Sequence, residues 1–136
     1  MNKFQSALNF VGRIAIAALF LPAGISKLLG VEGAAAYFAS LGLPALTILV
    51  WGVIAIEVLG GLALILGFHT RFVAFGLALF TLGASIIGHP FWAAPQDAVF
   101  IAQLLFMKNM AILGGLLVLA STGGGSFSLD GRKSKA

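Results

Sequence analysis

Residues 44–88 read PALTILVWGVIAIEVLGGLALILGFHTRFVAFGLALFTLGASIIG, two apolar runs parted only by Phe68, His69, Thr70 and Arg71. A helix needs about 20 apolar residues to cross the hydrocarbon core of a bilayer, within a range of about 17–25. Both runs, Pro44–Gly67 and Phe72–Gly88, meet that length, the second at its lower limit. A link this short forces the two helices to lie side by side and antiparallel. Gly67 reads as a helix stop, Pro44 as a first-turn residue and Thr70 as the N-cap of the following helix.

Two more apolar runs flank this pair, Leu8–Leu29 before it and Val99–Ser121 after it, with Asp97 placed where a carboxylate complements a helix N-terminus. Composition supports a lipid solvent: 60% of the 136 residues are hydrophobic and 9% charged, with a mean hydropathy of +1.10. A soluble domain carries about 25% charged residues and needs them to cover its surface. The expected fold is an all-α membrane protein, a four-transmembrane-helix antiparallel bundle over about 8–29, 44–67, 72–88 and 99–121. Residues 122–136, Gly/Ser-rich and basic, are expected to form a flexible cytoplasmic tail. Gly30–Leu43 is too short to span. Its Val31, Ala35, Phe38 and Leu41 share one helical face, which suggests an amphipathic interfacial helix with Tyr37 at headgroup depth.

The net charge of +4 comes from Lys and Arg near the ends of the spans. Lys3, Arg13, Arg71, Arg132, Lys133 and Lys135 fall on one side and Lys27 on the other. Basic residues favour the cytoplasm, so both termini are expected there. The first run is too long for the apolar core of a cleaved signal peptide and is read as a retained span. No basic run is interleaved with aromatics, which argues against nucleic-acid binding. The chain has no cysteine, which excludes a thiol nucleophile and cysteine-ligated clusters.

The residues that carry chemistry are the polar ones inside the spans. A charge at the bilayer centre costs about 2.5–3.5 kcal/mol and needs a partner, a cavity or a shifted pKa. Glu57, about 15 Å from the end of its span, and Lys108, about 20 Å from the end of the fourth, are close in depth and could pair across the bundle, with Asn109 beside them. This candidate intramembrane site is either a structural pair or a proton-active or ligand-binding centre. Arg13 and Arg71 either snorkel to headgroups or line a cytoplasmic vestibule, and Lys27 is expected to snorkel to the opposite surface. His89, Phe91 and Trp92 form either an interfacial anchor or an outer-face site for a flat amphipathic ligand such as a quinone. His69 and His89 stand about 30 Å apart across one span, so they cannot share a metal or a haem within one chain. No metal site is expected, and no cofactor held by this chain alone.

Arg13 through Lys27 (RIAIAALFLPAGISK), Glu57 through Arg71 (EVLGGLALILGFHTR), Lys108 through Gly115 (KNMAILGG) and Gly123–Asp130 (GGGSFSLD) together resemble the DoxX family of small bacterial inner-membrane proteins. TLGASIIGH, ending at His89, is similar to its short stand-alone members. The family takes its name from a subunit of a thiosulfate:quinone oxidoreductase. The resemblance therefore implies an accessory or quinone-interacting subunit of a membrane redox system, not an enzyme on its own, whose redox partner supplies the cofactor. It supplies no agreed catalytic set, and the missing cysteine argues against the thiol chemistry attributed to some relatives. Two other readings stay open: a proton-coupled transporter with Glu57 as carrier, and a structural scaffold. Either could act as a homo-oligomer.

Overall fold

In the computed structural model, residues 1–44 and 46–133 are described, the side chain of Lys133 excepted. Lys135, one of the residues that set the expected orientation, lies outside them. Six helices follow in order: α1 Lys3–Leu29, α2 Val31–Ser40, α3 Thr47–Leu66, α4 Thr70–Gly88, α5 Val99–Thr122 and α6 Leu129–Lys133. A 3-10 turn, Phe91–Ala93, sits between α4 and α5. No strand occurs among the described residues. Four helices are long and apolar enough to cross a membrane, and the fold is the all-α four-span bundle.

Helix boundaries follow local chemistry, with small departures from the expected ones. Asn2 and Gln5 form a capping box that starts α1 well before Leu8. The second span begins at Thr47, so Pro44 precedes the helix instead of occupying its first turn. Gly67, at φ 66°, ends α3 in the left-handed region that glycine tolerates, as its sequence position suggested. The N-cap of α4 is His69, and Thr70 is its first helical residue.

The bundle consists of two closely packed pairs, α1 with α3 and α4 with α5, joined side to side through α3 and α4. Small residues set the spacing of the first pair. A Cβ at Gly24 would lie 2.7 Å from Val58 Cγ2 and 2.9 Å from Glu57 Cβ, and one at Gly61 would lie 3.1 Å from Leu21 Cβ. The main core joins Ala17, Phe20, Leu64, Ala74, Leu77, Ala78, Leu116 and Leu119. Long stretches of apolar side chain face outward, which water would penalise and lipid does not.

Gly24 stands level with Glu57 and Val58, so α1, which ends at Leu29, stops about 9 Å short of the start of α3. The space above it is filled by α2. Its Phe38, with Val31, Ala34 and Ala35, packs on Val50 and Ile54 of α3, while Glu32, Tyr37 and Ser40 face outward. The amphipathic reading of this segment holds, with its apolar face turned to α3.

Candidate functional site

Because α1 ends early, Lys27 lies inside the bundle. A helical side chain leans towards the N-terminus of its helix, so Lys27 reaches back along α1 towards Glu57. Its Nζ lies 3.0 Å from Glu57 Oε1 and 2.9 Å from Oε2, and the Glu57 side chain is 9% exposed. Gly24 supplies the close backbone approach that makes this reach sufficient. The expected partner of Glu57 was Lys108, and the structure replaces it with Lys27. Lys108 is exposed on α5 and makes no ion pair among the described residues. Equally, Lys27 does not snorkel away from the bundle.

A cavity of about 150 Å³ opens beside the pair, walled by Leu19, Phe20 and Ala23 of α1, Phe80, Thr81 and Ala84 of α4, Glu57 and Asn109. Two of the three residues expected at an intramembrane site, Glu57 and Asn109, therefore meet there, joined by Thr81. The Thr81 hydroxyl donates to the Leu77 carbonyl at 2.7 Å, which leaves its lone pairs turned outward from that bond. The polar groups are thus an amide that both donates and accepts, a carboxylate that accepts and a hydroxyl oxygen that accepts. Phe20 and Phe80, with centroids 6.5 Å apart, supply aromatic walls.

At the end of the bundle that carries both termini, Arg13 and Arg71 cap helices. Arg13 is completely buried. It donates from Nη1 to the carbonyls of Leu64 (2.8 Å) and Ile65 (3.1 Å), from Nε to Asn9 Oδ1 (3.1 Å), and from Nη2 to the Phe127 carbonyl. A cation at a helix C-terminus meets both its dipole and its orphan carbonyls. Arg71 serves α5 likewise, donating to Ser121 O at 2.7 Å and Thr122 O at 3.3 Å. The expected vestibule is corrected accordingly: Arg13 neither snorkels nor lines an open space. Arg71 alone faces the 610 Å³ cleft at this end, with His69, Gly123–Ser126 and Asp130.

The segment expected to be a flexible tail folds back as far as it is described. Asn9 Nδ2 donates to Gly123 O at 2.7 Å, and the Ser126 amide donates to Ser6 Oγ at 3.2 Å. Asp130 accepts from the amides of His69 (2.9 Å) and Thr70 (2.7 Å) and from the Thr70 hydroxyl (2.8 Å), closing the N-terminus of α4. Burial opposes ionisation of Asp130. The hydrogen bonds from Thr70 and His69, with the charge of His69, outweigh it and hold the carboxyl below its ordinary value of 3.8. The sequence reading missed this role. The signal was present in SLD, an acid five residues past a glycine run, but its partner lies sixty residues away.

At the opposite end Phe91, Trp92 and Phe106 pack edge to face, with centroids 5.3–5.6 Å apart. Two of the outer-face candidates, Phe91 and Trp92, thus form one aromatic cluster with Phe106 of α5. His89 is half-buried beside them, its amide bonded to Ser85 O. No group of three or more candidate metal ligands occurs among the described residues.

The family model for DoxX matches residues 8–90. The chain is 38% identical to inner membrane protein YphA of Escherichia coli over 94% of its length and 91% of that protein's. It is also 38% identical to inner membrane protein YqjF of the same organism, over 96% and 95%. A Bacillus subtilis relative, named "Putative oxidoreductase CatD", is 36% identical over 63% of each chain. No solved structure matches. With its four apolar helices and these matches, the chain belongs to the DoxX family and is a multi-pass inner-membrane protein.

Proposed function

We propose that this protein is a quinone-interacting membrane subunit of a redox system, and that the cavity beside Glu57 receives the quinone ring. The observation that carries this reading is the meeting of Glu57, Asn109 and Thr81 with the aromatic walls of Phe20 and Phe80, inside the bundle. A volume of about 150 Å³ suits a single substituted ring, not a whole ligand of the usual 300–1,000 Å³, so the isoprenoid tail would lie in lipid. The Asn109 amide suits a ring carbonyl. The Glu57 and Thr81 oxygens suit the hydroxyls of the reduced ring, so one polar set serves both forms. The relative named as an oxidoreductase supports the redox context. The short segments outside the spans leave any nucleotide or metal cofactor to a partner protein.

The proton-carrier reading is weaker. Both Glu57 oxygens are engaged by Lys27, so a carrier role would require that contact to break in each cycle. A short-tailed quinone titrated into the protein in lipid nanodiscs tests the proposal. Binding should saturate, and Asn109→Leu should weaken it about tenfold through the lost hydrogen bond. No saturable binding, or equal binding by wild type and variant, rejects the site.

A further inference from the structure

We infer that the outward face of α5 around Lys108 docks a transmembrane helix of a different protein, one that carries an aspartate or glutamate within its span. Lys108 lies nine residues into α5, about 13.5 Å from its start. It is exposed, lines no part of the cavity beside Glu57, and has no hydrogen-bond or ion-pair partner among the described residues. A lysine stem of about 6 Å, directed to the nearer end, leaves the ammonium some 7 Å below the helix terminus. A charge in that position calls for an anionic partner at the same depth.

The surroundings of Lys108 fit a helix. Of the four spans α5 is the least covered by its own chain, 11% buried against 22–28% for the others. Leu104, Ala111 and Gly115 share the exposed face with Lys108, and a Cβ at Gly115 would meet nothing closer than 4.0 Å. Small residues one turn and two turns beyond the charge allow a second backbone to come near.

The chain's own acidic side chains rule out a second copy as the occupant. They are Glu32, Glu57, Asp97 and Asp130. Glu57 is engaged by Lys27, and Asp130 by His69 and Thr70. Glu32 lies in the short α2 and Asp97 precedes α5, so no span of a second copy offers a free acid. The carboxylate must come from another protein. This face is separate from the cavity, and the inference stands whether or not a quinone binds there.

The test uses the full chain, fluorescently labelled, in phosphatidylcholine vesicles with transmembrane peptides of leucine and alanine bearing either Asp or Leu at the depth of the Lys108 ammonium. Energy transfer should show the Asp peptide associating about tenfold more tightly than the Leu peptide. Lys108→Leu should abolish that preference. Lys108→Glu should transfer it to a peptide bearing Lys. Equal association of both peptides overturns the inference. So does Lys108-dependent energy transfer between copies of the chain without peptide, or a Lys108 effect that appears only with added phosphatidylglycerol, which would assign the charge to a headgroup.

Discussion

Removing one member of the Lys27–Glu57 pair strands the other between α1 and α3, where water is scarce. Loss of one partner from a fully buried pair costs about 3–5 kcal/mol, and the partial exposure of Lys27 reduces this figure. Lys27→Met and Glu57→Gln should each lower the melting temperature in detergent, and the swap K27E/E57K should restore most of the loss. An unchanged melting temperature in both single variants would contradict the pairing. Gly24 belongs to the same device. Gly24→Ala forces α1 and α3 apart and should destabilise by about 1–3 kcal/mol, whereas Gly76→Ala, whose Cβ would meet nothing within 4 Å, should be neutral in the same melts. The importance of Glu57 could be read directly from one acid in an apolar run. Its partner could not, because depth counted from helix ends assumes that all spans end at the same level. Lys27 is two residues from the end of α1, yet α1 itself stops inside the layer.

Helix ends at one pole of the bundle are closed by residues distant in sequence. Arg13 closes α3, Arg71 closes α5 and Asp130 closes α4. The Asp130 contact depends on pH in a defined direction. Its folded-state pKa is below the ordinary 3.8, so its contribution is complete above about pH 4 and fades as pH falls through the lower folded value. Hydrogen exchange of the Thr70 and His69 amides, corrected for intrinsic rates, should therefore lose protection in that acid range, and Asp130→Asn should lose it at neutral pH. Protection independent of both would contradict the cap. Gly67 adds a steric condition: its φ is 66°, and a Cβ there would lie 2.2 Å from Ser128 Cβ. Composition suggested a mobile tail because glycine and serine runs are usually linkers. It carries no record of the carbonyls and amides that Gly123, Ser126 and Asp130 meet when the chain returns.

Across the whole molecule, four spans place both termini on one side, and the distribution of Lys and Arg predicts that this side faces the cytoplasm. Reporter fusions at each end should both report a cytoplasmic location, and opposite readings would contradict the four-span count. The bundle was legible because length and hydropathy alone define a span. The cavity was not, because it arises where α1, α3, α4 and α5 converge, and no local pattern records which faces meet. A photoreactive quinone in native-lipid nanodiscs, followed by mapping of labelled peptides, tests the functional account most directly. The label is predicted on Leu19–Ala23 and Phe80–Ala84; label confined to Phe91 and Trp92, or label that excess unmodified quinone does not displace, would contradict it.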